Sequence, residues 1–233
     1  MTENNYNSSL AKLERRRRKR RKIIIKRIIC FLLFLGVTVG AVFGGVKIYK
    51  LFKGEGGASA KLEKIKAIEI PDWIDEQIIR LHNTARTGTE LDGVKSIVIH
   101  YVGNPGTTAQ NNRDYFDKAS TEVSSHFVVG LEGEIIQCVP MWEKSAASNW
   151  RNSDTISIEV CHPDDTGKFK DETYNAVIKL TAWLLYNLGL DESSVIRHYD
   201  ITGKLCPLYY VEHEDAWNQM KKDIVTKLNE YSK

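Results

Sequence analysis

Residues 195–207 read Val-Ile-Arg-His-Tyr-Asp-Ile-Thr-Gly-Lys-Leu-Cys-Pro. They set an imidazole, His198, and a thiol, Cys206, on either side of a short loop containing Gly203. An ammonium, Lys204, stands two residues before the thiol. Neutral imidazole and thiolate are ligands that zinc prefers, so one tight loop can offer both to the same ion. Two ligands do not make a stable site. His100 is the candidate third, at the end of the apolar run Ser-Ile-Val-Ile-His-Tyr and just before Gly103-Asn104-Pro105-Gly106. Sites in α/β folds lie at the carboxyl ends of such strands. Alone, His100 reads as a core histidine satisfied by hydrogen bonds; beside His198 and Cys206 it reads as a ligand.

Three protein ligands and one open position make a catalytic zinc pattern, whereas structural zinc takes four. Such a site acidifies water to a pKa of about 7, and hydrolysis then needs a base. Glu159 is the only acid in the apolar run Ile-Ser-Ile-Glu-Val (156–160), where a lone buried carboxylate is costly. Its alternative is a glutamate on an edge strand facing solvent. Lys204 can stabilise a developing oxyanion, or it is an ordinary surface lysine.

The elements that must position these residues are legible from periodicity. Residues 96–101, 125–130, 134–139, 155–161 and 195–197 read as strands, the second and third joined as a hairpin around Gly133. Thr108 can cap a helix reaching about Lys118. Residues 171–188 form the clearest helical pattern, with Asp171 as N-cap and Gly189 closing it. A last helix is expected over about 212–231, with Trp217, Met220, Ile224, Leu228 and Tyr231 inward. Pro71-Asp72-Trp73 can start a helix through Ile74, Ile78, Ile79 and Leu81. Strands interspersed with helices imply an α/β domain with a central sheet covered by helices. Of the four cysteines, only Cys138 and Cys161 could pair, and two separately buried thiols are the simpler reading.

The net charge of +3 conceals a division. Residues 1–67 hold 17 Lys/Arg against 4 Asp/Glu, and the remainder is acidic. Residues 15–22 are eight consecutive basic side chains, followed by a 19-residue stretch, 28–46, without a charge. A helix of that length spans roughly the ~30 Å hydrocarbon core. The basic cluster before it predicts a cytoplasmic N-terminus and argues against nucleic acid as its partner. The expected organisation is a basic tail over 1–27, a transmembrane helix over 28–46, a linker over 47–66 and a catalytic domain over 67–233. The alternative is secretion after cleavage near Ala60, where Ala58-Ser59-Ala60 has a small-x-small form.

Four segments then carry a resemblance: Ile-Val-Ile-His-Tyr-Val-Gly-Asn-Pro-Gly (97–106), Ser-Ser-His-Phe-Val-Val (124–129), Ile-Ser-Ile-Glu-Val (156–160), and residues 197–207. In that order they resemble the zinc-dependent N-acetylmuramoyl-L-alanine amidase family (amidase-2), related to T7-type lysozyme and peptidoglycan recognition proteins. The resemblance implies a mixed sheet flanked by helices and one zinc per chain in a surface groove. It implies hydrolysis of the amide between N-acetylmuramic acid and L-alanine in peptidoglycan; a monomer is expected, though the sequence does not give the oligomeric state. His100, His198 and Cys206 match the ligands, Glu159 the catalytic glutamate, and Lys204 the lysine that assists the transition state. His126, Tyr101 and Asn104 become candidate substrate contacts, with a structural role for His126 as the equal alternative. Two positions depart from the pattern. Ser125 stands where T7-type members have a catalytic tyrosine, and residues 146–150 lack a histidine that many members carry. A non-catalytic peptidoglycan-binding module, or a hydrolase cutting within the stem peptide, are the competing readings.

Overall fold

The computed structural model describes residues 55–81 and 84–231. The charge-free stretch 28–46 and the basic tail before it lie outside the described residues. Among the described residues no helix is long and apolar enough to cross a membrane. A compact unit begins at Gly57. The strands are β1 (Asp75–Glu76), β2 (Ser96–Ile99), β3 (Phe127–Val129), β4 (Ile135–Gln137), β5 (Thr155–Val160) and β6 (Val195–Arg197). The helices are α1 (Glu55–Lys66), α2 (Ala109–Phe116), α3 (Asp171–Leu188), α4 (His198–Thr202), α5 (Leu208–Glu212) and α6 (Glu214–Tyr231).

The six strands form one mixed sheet in the order β1-β4-β3-β5-β2-β6. Only β3 and β4 pair antiparallel, as the hairpin whose turn uses Gly133 at φ +82°. β2 lies between β5 and β6 and is parallel to both. All four of its residues are buried, as expected for a parallel strand covered on both faces. The side-chain alternation of strands then divides the core. Ile97, Ile99, Phe127, Val129, Ile156 and Ile158 share one cluster with Val177, Leu180 and Leu184 of α3 and with Trp217, Met220 and Ile224 of α6. Val128, Ile136, Cys138 and Cys161 join a smaller cluster with Ala109 and Phe116 of α2. Cys138 and Cys161 are free, buried thiols.

Local signals set most boundaries. Thr108 caps α2 with its side chain, accepting from the Asn111 N–H. Gly189, at φ +64°, ends α3. Two expectations are corrected. Residues 71–81 are not helical: Gln77 and Ile79 donate N–H bonds to the carbonyls of Gln137 and Cys138, so this segment extends along β4. The isoleucine spacing there resembles a helix, but pairing with the sheet edge wins. Asp171 lies in the first turn of α3, with Lys170 as its N-cap; its charge favours the positive end of the helix without capping it. Within the stretch read as linker, residues 61–66 are open to a short helix; α1 covers 55–66, and Leu62 and Ile65 enter the main core.

Candidate functional site

The sheet order brings the chemistry-bearing residues together. Ile156, Ile158 and Val160 face α3, so Glu159 points from β5 to the opposite face. β5 is an interior strand between β3 and β2, which excludes the edge-strand reading of Glu159. His100 follows Ile99 directly, and its N–H donates to the Ile158 carbonyl at 2.9 Å, continuing the β2–β5 ladder. His198 is the residue after β6. Adjacent parallel strands thus deliver His100 and His198 side by side, with ring centroids 4.7 Å apart. Cys206 Sγ lies 3.9 Å from His100 Nδ1, and Glu159 Oε1 lies 3.9 Å from the same nitrogen. His100, His198 and Cys206 are buried, and one ligand atom from each falls within 4.8 Å of the others.

The segment expected as a simple loop is built around the short helix α4. Asp200 accepts the Arg197 N–H at 2.8 Å and pairs with the Arg197 guanidinium at 3.0 Å. That guanidinium also reaches Glu214 at 2.6 Å and the Tyr210 carbonyl at 2.9 Å. Gly203 closes the turn at φ +77°, a left-handed conformation that favours glycine. The Tyr199 N–H donates to the Cys206 carbonyl at 3.0 Å, tying the histidine end of the segment to the cysteine end.

Burial sets the electrostatics. It holds His100 well below the usual imidazole range, with the charges of His198 and Lys204 adding to the effect. Burial and then Lys204 also lower His198. Both rings are therefore neutral at neutral pH, the form that ligates a metal. Burial pushes Glu159 up to about 8, opposed by Lys204. Cys206 is pushed up to about 12, first by burial and then by Glu159, with Lys204 acting the other way. Among the described residues, Glu159 Oε2 and His198 Nδ1 are buried without a hydrogen-bond partner.

These side chains line an open groove of about 790 Å³ that also takes in Tyr101, Asn104 and Lys204. Tyr101 packs on His162 with centroids 5.0 Å apart. Asn112, Tyr115 and Phe116 of α2 and residues 122–124 make the far wall. The sequence reading did not anticipate this wall, because its side chains meet the site only through the packing of α2 on the sheet. Nor did it anticipate Ser148 and Asn149, whose polar side chains lie within reach of His100 and His198. Their polarity in a segment of small residues was the only sequence cue.

His126 does not reach the groove. It is fully buried, where its Nδ1 accepts the Ser157 N–H at 3.0 Å and its Nε2–H donates to the Glu143 carbonyl at 2.9 Å. Both ring nitrogens are spent inside the fold, which favours the structural role over the substrate contact. Ser125 is also buried, donating to the Phe127 carbonyl at 2.7 Å, and takes no part in the groove.

Burial lowers His126 to about 4, against one raising contact from Glu143. A histidine depressed in the folded state gives stability that is complete above the unfolded value near 6.5. That stability is lost as pH falls toward 4, because the unfolded chain binds the proton first. The loss expected from this group is about 3 kcal/mol across that window. Urea unfolding at pH 7 and pH 4.5 measures it, and His126→Gln is expected to flatten the difference. An unchanged slope in that variant would assign the acid lability elsewhere.

Comparison with known proteins places residues 89–209 within the family model described as N-acetylmuramoyl-L-alanine amidase (Amidase_2). The chain is 29% identical over 166 residues to the N-acetylmuramoyl-L-alanine amidase CwlL of Bacillus licheniformis, covering 64% of this chain and 46% of that protein. It is 31% identical over 172 residues to the N-acetylmuramoyl-L-alanine amidase BlyA of Bacillus subtilis (strain 168), covering 65% and 46%. The chain thus spans about half the length of the curated relatives it matches. Among solved structures, the catalytic domain of XlyA superposes with a TM-score of 0.57 at 25% identity, covering 65% of this chain and 98% of that one.

Proposed function

Because the chain belongs to the N-acetylmuramoyl-L-alanine amidase family, we propose that its groove hydrolyses the amide between N-acetylmuramic acid and L-alanine in bacterial peptidoglycan. The observation that carries this reading is the convergence of His100, His198 and Cys206 beside Glu159 in one groove. The donor set of two neutral imidazoles and a thiol suits zinc. Among the described residues, the buried Nδ1 of His198 is a lone pair or proton with no group to meet, which fits a metal ligand. His100, His198 and Cys206 would hold the ion. Zinc, when bound, supplies Lewis acidity and makes water more acidic.

The chain's own residues do the rest. The groove holds the stem peptide so that the scissile carbonyl lies between the cluster and Lys204. Glu159 takes a proton from the attacking water through its carboxylate. Its burial makes it a stronger base than an exposed glutamate, and a cation nearby favours the ionised form it needs. The protonated Glu159 then passes that proton to the departing amine of L-alanine. Lys204, exposed at the groove, supplies positive charge where the carbonyl oxygen becomes anionic. With Ser125 turned into the core, the proton traffic falls to Glu159.

A digest of purified peptidoglycan followed by mass spectrometry tests this reading. Released peptides beginning with free L-alanine, together with glycan carrying intact muramic acid, are expected. Cuts within the stem peptide would move the activity to a related hydrolase. Retention of the chain on the wall without release would make it a binding module.

We also infer that residues 28–46 anchor the chain in the cell membrane, with residues 1–27 cytoplasmic and the domain facing the wall. The charge-free stretch behind a basic cluster supports this. Protease digestion of intact protoplasts tests it: loss of the domain with retention of the N-terminal tail is expected. Recovery of the domain free in the medium, starting near Ala60, would replace the anchor with a cleaved signal.

A further inference from the structure

Residues 146–150 contain no histidine, yet this segment touches both imidazoles of the cluster. Asn149 Oδ1 lies 2.8 Å from His198 Nε2, and Ser148 Oγ lies 3.4 Å from His100 Nε2. Two consecutive residues therefore meet the outer nitrogen of each ring. The other nitrogens are those of the cluster: His100 Nδ1 faces Cys206, and His198 Nδ1 is buried and unpartnered among the described residues.

The contact at His198 has one chemically consistent form. A carboxamide oxygen only accepts, so it requires a proton on Nε2. A neutral imidazole has one such proton, so Nδ1 is then a lone pair. The flipped amide would donate to Nε2 and force the proton onto Nδ1, where no described group accepts it.

The backbone is shaped to make this contact. Asn149 is the only non-glycine residue at positive φ among the described residues, at +53°. Asparagine tolerates that left-handed conformation better than most side chains. The segment is held from both ends. Asn152 Oδ1 accepts the N–H groups of Ala147 and Ser148 at 3.1 and 2.6 Å. Arg151 pairs with Asp154 at 2.6 Å and donates to Ser96 Oγ at the start of β2 at 3.1 Å. The Thr155 hydroxyl, at the start of β5, donates to the Arg151 carbonyl at 2.8 Å. The strands that deliver His100 and Glu159 thus also fix Asn149.

The geometry points to Asn149 as the positioning residue of the metal site: its side-chain oxygen holds His198 as the Nε2–H tautomer and presents Nδ1 to the ion. The inference rests on the metal-site reading above. Outer partners of ligating histidines are worth about 10–100-fold in metal affinity. In the full-length chain, zinc affinity measured by competition with a chromogenic chelator is expected to fall by about that factor in Asn149→Ala and in Asn149→Gly. Asn149→Asp keeps an acceptor on a residue that tolerates the left-handed backbone, and is expected to stay within about threefold of the parent, a small fraction of the outer-partner effect.

Glycine separates this role from a merely structural one. It fits φ +53° better than asparagine, so it is expected to keep or raise thermal stability while losing affinity. Parent-like affinity in the glycine variant, or an aspartate variant as weak as alanine, would overturn the inference. Imidazole nitrogen NMR of the metal-free chain tests it independently. His198 is expected as the Nε2–H tautomer in the parent and as a mixture in Asn149→Ala; a mixture already in the parent would overturn it. Failure of the parent to bind zinc would instead sink the metal-site reading and leave the tautomer result standing on its own.

Discussion

Glu159→Gln is expected to lower the rate of amide hydrolysis by about 10²–10⁴-fold, the range that a positioned general acid–base supplies. The substitution keeps size and shape while removing the only group in the groove's β5 wall that can take and return a proton. It is not expected to damage the fold. In the parent, the carboxylate is enclosed enough that burial pushes it up to about 8, and Oε2 is buried without a partner among the described residues. A neutral amide relieves that desolvation, so the melting temperature of the variant should equal or exceed that of the parent. Zinc content should be unchanged, because Oε1 stands 3.9 Å from His100 Nδ1, beside the ligand set. Initial rates on purified muropeptides, paired with metal analysis, give the result. A variant that keeps more than a tenth of parental activity with full zinc would remove Glu159 from the proposed mechanism.

Cys206→Ser is expected to abolish both zinc retention and turnover. Cys206 is one of three candidate ligands, and the only sulfur among them. A serine hydroxyl is a poor substitute for a thiolate toward zinc. The loss in affinity should exceed the roughly 100-fold that removal of an outer partner costs at its upper end. Because Cys206 is 2% exposed and packed beside His100, the smaller, polar serine will also cost some stability. Circular dichroism must therefore accompany the metal analysis. Folded protein with no zinc and no activity is the expected outcome. A folded serine variant that binds zinc as tightly as the parent would place the site elsewhere. Chelation of the parent should reproduce the activity loss, and added zinc should reverse it.

The two predictions draw on residues that were legible in the sequence to different depths. His100 stood out because a β-branched run ends on it and a Gly-Asn-Pro-Gly turn follows. Glu159 stood out as a lone acid in an apolar strand. Both cues are local, and the parallel pairing of β2 with β5 and β6 brings them together. The lead-in at 71–81 misled for a physical reason. Its isoleucines are spaced as on a helix, but the carbonyls of Gln137 and Cys138 offered its backbone an edge to extend along. His126 was visible as part of a motif, yet nothing local says whether an imidazole faces a groove or the interior. Ser157 and Glu143, both far from it in sequence, decide that. Asn149 was the least legible of all. Its significance depends on a contact with a residue 49 positions away and on a backbone angle that no residue type dictates.

The placement of β2 between β5 and β6 also bears on when the site comes into being. His100 and Cys206 are 106 positions apart in sequence yet nearly touch, and His198 arrives with a strand that can pair only after α3 has crossed back over the sheet. Closing so long a chain segment is slow and entropically costly, and His100 has neither of its two partners without it. The ligand cluster is thus a product of completed topology rather than a nucleus for it. An ion that binds the finished fold and not its precursors stabilises it by mass action, by about 2.7 kcal/mol at a free concentration 100 times the dissociation constant. Loading with metal should therefore act as a late latch, lifting the unfolding midpoint and slowing unfolding while leaving the rate of folding unchanged.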